Sequence, residues 1–294
     1  MEKTISNTCV ICNGICEDSL QVTDHSISKE QFQLIECPTC QLRITSDAPA
    51  ENSIAPYYKS EDYISHSNST KGLINRLYHI VRQIMLNRKA NLIKKISKGN
   101  KLLDYGAGLG YFASTMVQNG FDVDAFELNG EARDKAKELF QLDIHESSYL
   151  NEIDKQFDVV TMWHVLEHLY DPNAYLNRFH ELLNKEGKIV IAVPNFQSVD
   201  AKKYQEYWAG YDVPRHVWHF SPKSMEKLLS KNGFVLEKIR PMPFDGFYVS
   251  MLSEKYRNSG FSNGKGLWHG LMAYFMSMGS LQKSSSIIYI AKKQ

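Results

Sequence analysis

Two cysteine pairs, a run of three glycines and two histidine-bearing segments are the parts of this 294-residue sequence whose residue types can do chemistry. Cys9-x2-Cys12 and Cys37-x2-Cys40 are separated by 24 residues, and all five cysteines fall in the first 40 positions. Each C-x-x-C turn puts two sulfurs on one side, and two such turns complete a tetrahedron of thiolates. This is the pattern of a zinc site, at a spacing slightly longer than usual. Four protein ligands leave no open position, so the expected Zn2+ is structural. Cys16 is left over as a spare thiol or substitute ligand. A redox pair and free buried thiols are the other readings.

The glycines stand in Leu102-Leu103-Asp104-Tyr105-Gly106-Ala107-Gly108-Leu109-Gly110, where a predicted strand turns into a predicted helix. Glycine there lets backbone approach a ligand and adopt φ values closed to other residues. The third glycine is one place too early for G-x-G-x-x-G, since position 111 is Tyr, and no Lys follows to make a phosphate-cradling loop. Asp104 ends the strand, where a carboxylate can receive an ammonium group or orient the glycine turn. A cationic amino-acid ligand suits this loop better than a pyrophosphate. Glu127 closes the next predicted strand, placed to accept both hydroxyls of a ribose.

The histidines come in two groups. His164-Val165-Leu166-Glu167-His168 leaves a strong predicted strand, and Tyr211-Asp212-Val213-Pro214-Arg215-His216-Val217-Trp218-His219-Phe220 follows the fifth strand. The first spells H-x-x-E-H, but a zinc peptidase needs both histidines on one helical face, and Asp171-Pro172 interrupts almost at once. A polar turn in which Glu167 or His168 caps the next helix is the plainer reading. In the second group His216 is the first candidate for a general base and His219 the second, since His is the usual base near neutral pH. Both can equally serve as hydrogen-bonding loop residues.

Taken together, Leu102–Phe112, Phe126-Glu127 and Val159–Pro172 resemble class I S-adenosylmethionine (SAM)-dependent methyltransferases, in the branch of the ubiquinone-biosynthesis O-methyltransferases. The resemblance spans roughly residues 100–240. It implies a Rossmann-like α/β fold, a seven-stranded sheet with helices on both faces, whose last strand, Ser286–Ala291, is antiparallel. It implies that SAM is bound by Asp104, Gly106, Ala107, Gly108, Gly110, Tyr111, Phe112, Glu127 and Leu128, with Met162, Trp163 and His164 flanking its methionine portion. A Pro-x-His motif lies near the substrate in that family, which favours His216. The relatives carry acidic and His residues at the H-x-x-E-H position, thought to act with a divalent metal, and His164 stands where they have an acidic residue. Zinc-headed methyltransferases include sugar C-methyltransferases, so the cysteine module is expected to help form the substrate pocket.

The elements that must position these residues follow from periodicity. Apolar residues recur on one helical face of Lys71–Ile96, including Leu73, Leu77, Ile80 and Ile93, and Gly99 stops the helix. Strands are predicted at 101–105, 123–127, 142–145, 157–163, 188–193, 234–240 and 286–291, and helices at 111–119, 131–140, 174–183 and 225–231. That alternation argues a doubly wound sheet. The division expected is a zinc-ribbon-like module over 1–50, a linker and bridging helix over 51–98, and a methyltransferase domain over 99–294. Tyr57, Tyr58 and Tyr63 belong to the linker, and Phe244–Met278, rich in aromatics and Met, can line an apolar pocket, dimerise or touch a membrane surface.

Composition bounds the rest. Lys and Arg number 34 against 33 Asp and Glu, with 43% hydrophobic residues, so nothing global points to nucleic acid or anionic membrane. No apolar run approaches the ~18 residues of a membrane span, and the polar N-terminus lacks a signal core, so a cytoplasmic location is expected. The function expected is methyl transfer from SAM to oxygen or carbon of a small molecule. Alternatives are a nucleic-acid methyltransferase reading through its zinc module and a non-catalytic SAM-fold protein.

Overall fold

The computed structural model describes residues 7–58, 73–242, 244–257 and 283–294, with side chains of the first long helix described from residue 79. Lys71, Tyr63, the side chains of Leu73 and Leu77, and the 258–278 part of the aromatic segment lie outside the described residues. In chain order the elements are β1 (Glu17–Thr23), β2 (Gln31–Glu36), β3 (Arg43–Thr45), α1 (Leu73–Ile96), β4 (Lys101–Tyr105), α2 (Tyr111–Gln118), β5 (Asp122–Glu127), α3 (Gly130–Phe140) and β6 (His145–Glu146). These are followed by β7 (Phe157–Trp163), α4 (Pro172–Leu182), β8 (Leu183–Pro194), α5 (Val199–Tyr204), β9 (Trp218–His219), α6 (Pro222–Lys231), β10 (Phe234–Pro241), α7 (Asp245–Tyr256) and β11 (Ser286–Lys293).

Seven strands form one sheet in the order β10-β11-β8-β7-β4-β5-β6. Strands β4 to β8 run parallel, while β11 enters antiparallel between β8 and β10. The central strands are buried on both sides, which is why they read as continuous apolar runs. Alternate residues sort to opposite faces. Leu103, Tyr105, Val160, Met162, Ile189 and Ile191 meet α4 and α6 through Leu176, Phe179 and Leu228. Leu102, Val159, Val190, Ile288 and Ile290 meet α1 and α2 through Leu86, Ala90, Ile93, Phe112 and Met116. Strand order reverses between β4 and β7, which opens a crevice at the carboxyl ends of the strands, the usual ligand position in such sheets.

A second sheet, β1-β2-β3-β9, joins the cysteine segment to the rest of the chain. Its fourth strand comes from the histidine segment: Arg43 and Ile44 pair antiparallel with His219 and Trp218. One face packs Val22, Phe32 and Leu34 against Tyr204, Trp208, Tyr211 and Val213. Among the described residues no helix is long and apolar enough to cross a membrane.

Boundaries differ from the sequence expectations at helix caps and in β6, which is His145–Glu146 and not 142–145. Helix α6 starts at Pro222, not 225, because Ser221 and Ser224 form a reciprocal capping box with proline in the first turn. Helix α4 is capped by the Asp171 side chain, which accepts from the Ala174 N–H, so neither Glu167 nor His168 caps it. Residues 244–257 of the aromatic segment contain α7, an element the periodicity did not indicate.

Candidate active site and metal centre

The two C-x-x-C turns come together at the edge of the second sheet. The sulfurs of Cys9, Cys12, Cys37 and Cys40 all lie within 4.8 Å of one another, three of the residues are buried, and none is in a disulfide. The Cys12–Cys37 Sγ separation is 3.6 Å. Tetrahedral zinc with sulfurs at about 2.3 Å spaces them by roughly 3.8 Å, so the donor set fits the ion. The Cys40 N–H donates to Cys37 Sγ, 3.3 Å away. Cys16 stands outside the group, and burial followed by its cysteine neighbours pushes its thiol up to about 12.

In the crevice of the seven-stranded sheet, β4 ends at Asp104 and Tyr105 and the glycine loop turns into α2. Gly106 has φ +75°, and a Cβ on it would lie 2.3 Å from Val165 Cγ2, so both sterics and dihedral require glycine. Gly108 also has positive φ, but an added Cβ would meet nothing within 4 Å, leaving its outer side open. Glu127 closes β5 and folds over the loop: one oxygen accepts from the Gly108 N–H at 2.8 Å and the other from Asn129 N–H at 2.9 Å. Leu128, beside it, is 76% exposed, an apolar shelf next to a polar strand end.

Asp104 is buried, with Thr161 Oγ1 donating to it at 2.7 Å. Burial pushes its carboxyl up to about 6, partly offset by Thr161 and by Lys89. Lys89 comes from α1, and its ammonium sits 4.3 Å from the centroid of the Trp163 ring. Burial lowers it to about 8, against the pull of Asp245 and Asp104. Trp163 Nε1 is itself buried with no hydrogen-bond acceptor among the described residues, and Phe112 packs edge-on against the ring. A carboxylate, an ammonium and an unused N–H donor thus lie near one another at the carboxyl ends of β4 and β7. Sequence reasoning missed Lys89. Its signal was available: it falls on the buried stripe of α1 between Leu86 and Ala90, where a charge needs a reason.

At the end of β7 the backbone reaches His164, which has φ +60°, an uncommon conformation for a residue with a side chain. Its ring is gripped at both nitrogens: Nδ1 lies 3.2 Å from Glu167 Oε1 and Nε2 lies 3.0 Å from Asp245 Oδ2. Burial opposes a charge there, but Asp245 and Glu167 outweigh it and raise the imidazole to about 10. His164 is therefore a cation at neutral pH, with both nitrogens donating and no lone pair for a metal. Asp245, the first residue of α7, lies 81 residues away in sequence and had no local signal.

Three side chains of ligand type meet beyond it. His168 Nδ1 donates to the Arg215 carbonyl and lies 3.0 Å from Tyr58 Oη, and His216 Nδ1 donates to the Gly210 carbonyl at 3.1 Å. A carbonyl only accepts, so each ring carries a proton on Nδ1. Glu167 is fully buried, and its Oε2 has no partner among the described residues. Glu167, His168 and His216 each offer an atom within 4.8 Å of the others. Burial, then the neighbouring His168, lowers His216 to about 4, so it is neutral at pH 7. His219 is buried in β9 with Nε2 3.0 Å from Thr45 Oγ1. Of the two histidines singled out in the sequence, the first thus joins this cluster and the second joins the β3–β9 pairing. Tyr57 turns elsewhere, donating to Glu30 at 2.5 Å.

Known proteins resemble this chain in sequence and in fold. A family described as a methyltransferase domain matches residues 77–239, from within α1 to β10. The mitochondrial ubiquinone biosynthesis O-methyltransferase of Schizosaccharomyces pombe is 29% identical over 129 residues, 40% of this chain and 47% of that protein. The ubiquinone biosynthesis O-methyltransferase of Pseudomonas aeruginosa is 32% identical over 106 residues, 33% of this chain and 45% of that protein. The match thus spans about half the length of these curated relatives. Among solved structures, the magnesium protoporphyrin IX methyltransferase of Synechocystis PCC 6803, with S-adenosylhomocysteine bound, superposes with a TM-score of 0.52 at 13% identity, covering 83% of this chain and all of that one. That likeness is one of fold. The sheet order, the glycine loop at the switch point and the family match over more than half of the chain agree: this protein belongs to the methyltransferase-domain family, with the class I SAM-methyltransferase fold.

Proposed function

We propose that the protein is an enzyme that transfers the methyl group of SAM to a hydroxyl or acidic carbon of a small molecule. The observation that carries this reading is the convergence, at one sheet edge, of a glycine loop closed by Glu127 with the Asp104–Lys89–Trp163 space. Glu127 has lone pairs left for two ribose hydroxyls, Leu128 offers an apolar surface to the adenine, and Asp104 receives the ammonium. Lys89 and the Trp163 N–H receive the carboxylate. Gly106, Ala107, Gly108, Gly110, Tyr111 and Phe112 form the loop and first helical turn beneath the ligand, with Met162 and His164 at the methionine side. The ubiquinone-type relatives support a small-molecule acceptor, and the balanced overall charge does not favour nucleic acid.

When bound, SAM supplies a sulfonium whose methyl group is open to in-line attack. The chain's own part is to hold the acceptor and take its proton. The lone pairs of Glu167 Oε2, His168 Nε2 and His216 Nε2 suit a donor-bearing acceptor, and neutral His216 takes the hydroxyl or carbon-bound proton as the new bond to methyl forms. Alignment supplies much of the remaining rate. His219 is assigned to bracing β3 rather than to the reaction. A divalent cation would satisfy the same three lone pairs. In that second reading Glu167, His168 and His216 hold it and it polarises the acceptor oxygen, while His164 takes no part as a ligand. The four cysteines hold a structural zinc, and five cysteines outside any disulfide suit the reducing cytoplasm.

The test is release of S-adenosylhomocysteine from SAM with a panel of small hydroxylated and β-dicarbonyl acceptors, with and without EDTA. Turnover that falls by about 10²-fold or more in His216→Gln is expected for a general base. Full turnover of that variant on the same acceptor contradicts the role assigned to His216.

A further inference from the structure

The cysteine module touches the histidine cluster in a way that a separate appended domain does not need. Thr45, the last residue of β3, donates its hydroxyl to the His216 carbonyl at 2.8 Å. Its backbone N–H donates to the Val217 carbonyl at 2.9 Å, and Val217 N–H in turn donates to the Glu167 carbonyl at 2.9 Å. One line of hydrogen bonds therefore runs from the module strand, through residue 217, to the turn that carries Glu167 and His168.

A second line runs through Arg215, which is 4% exposed. Its Nη2 is 3.2 Å from Asp24 Oδ1 of the module, and the same nitrogen donates to Ser26 Oγ. Its Nε and Nη2 clamp Asp212 at 3.0 and 2.6 Å, and Nη1 donates to the Tyr57 carbonyl at 2.8 Å. Asp24 is equally buried and is oriented by the N–H groups of Ser26, Ile27 and Ser28. The Arg215 carbonyl is the acceptor that fixes Nδ1 of His168. The carbonyl that fixes His168 thus belongs to a residue held by the module, and the one that fixes His216, on Gly210, precedes Tyr211, whose hydroxyl accepts from Arg43 of β3 at 2.6 Å.

We propose that the module is a positioning element of the acceptor site: Thr45 and Asp24 fix the 215–217 segment, and through it the rings of His168 and His216 and the turn that bears Glu167. This rests on the reading of that cluster as the acceptor site, but the geometry it asserts is measurable without an acceptor. The pieces are chemically specific, since a hydroxyl at 45 and a carboxylate at 24 are the groups used.

The experiment uses the full-length, metal-loaded chain with 15N-labelled histidine. Imidazole nitrogen signals of His168 and His216, assigned through His168→Gln and His216→Gln, are compared in wild type, Thr45→Val, Thr45→Ser and Asp24→Asn, alongside calorimetric binding of S-adenosylhomocysteine. Expected are two wild-type rings locked with Nδ1 protonated, a shift of both toward averaged tautomers in Thr45→Val, and restoration in Thr45→Ser. Asp24→Asn is expected to move His168 more than His216, with S-adenosylhomocysteine affinity unchanged in all. Unaltered imidazole signals in Thr45→Val and Asp24→Asn would overturn the proposal. So would equal loss of signal dispersion and of S-adenosylhomocysteine affinity, the mark of general unfolding. A wild type that binds no S-adenosylhomocysteine but shows the same imidazole shifts would refute the methyl-transfer reading and leave the positioning intact.

Discussion

Asp104 shows how a ligand site is built at the expense of the empty protein. Its carboxyl titrates at about 6 rather than 3.8 because burial disfavours the anion. A carboxylate kept ionised there at pH 7 destabilises the fold by about 3 kcal/mol. The sign follows from linkage. The folded protein binds this proton more tightly than the unfolded chain, so the contribution to stability is fully present below pH ~4 and is lost as pH rises through about 6. Asp104→Asn is therefore expected to raise the melting temperature at pH 7.5 and flatten its dependence between pH 4 and 6. The same variant loses S-adenosylhomocysteine affinity, because a neutral amide no longer answers the ammonium. Thermal denaturation across pH checks the first part, and a lowered melting temperature would contradict it. Lys89 is the complementary case: a cation beside an aromatic face, lowered to about 8 by its surroundings.

At the scale of elements, β11 completes the sheet, and its side chains lie buried between β8 and β10. One of them, Tyr289, has its hydroxyl buried with no partner among the described residues. Tyr289→Phe removes an unmet hydrogen-bonding demand, so denaturant unfolding should show equal or greater stability, by up to about 1 kcal/mol. A loss of more than that would reveal a partner for the hydroxyl. The second sheet responds differently. Gln41 N–H bonds the Cys37 carbonyl and Cys37 N–H bonds the Leu42 carbonyl, so the Cys37–Cys40 turn leads directly into β3. Stripping metal with a chelator is expected to increase amide exchange at Ile44 and Thr45 while β4 and β7 stay protected, which hydrogen-exchange mass spectrometry resolves. Uniform protection before and after would mean that the turn holds its shape without an ion.

These elements also show what was readable from sequence. Strands β4, β7, β8 and β11 are flanked by protein on both faces, so each holds a short apolar run, such as Ile189–Val193 and Ile287–Ala291, that stands out. Strands β1 and β2, Glu-Asp-Ser-Leu-Gln-Val-Thr and Gln-Phe-Gln-Leu-Ile-Glu, are buried on one side only and carry charges at their ends, which masks them. Strand β9 is two residues long and exists because β3 pairs with it, a contact across more than 170 positions that no local pattern encodes. The site divides the same way. Asp104, the glycines and Glu127 sit in a contiguous strand–loop–helix grammar. Lys89 and Asp245 enter from α1 and α7, and only the three-dimensional fold brings them to Trp163 and His164.

For the whole molecule, the family match ends at residue 239, within β10, yet the sheet is finished by β11 beyond it and the histidine segment is braced by β3 before it. The crevice at the β4–β7 switch point is the common reference for all of these parts. Its occupation by SAM is the central claim, and calorimetric titration with S-adenosylhomocysteine tests it most directly. A single saturable site is expected in the wild type, weakened by at least about tenfold in Glu127→Ala, which removes the carboxylate assigned to two ribose hydroxyls (~1.4 kcal/mol or more). Absence of binding to the folded, metal-loaded wild type, or an unchanged affinity in Glu127→Ala, would contradict the account.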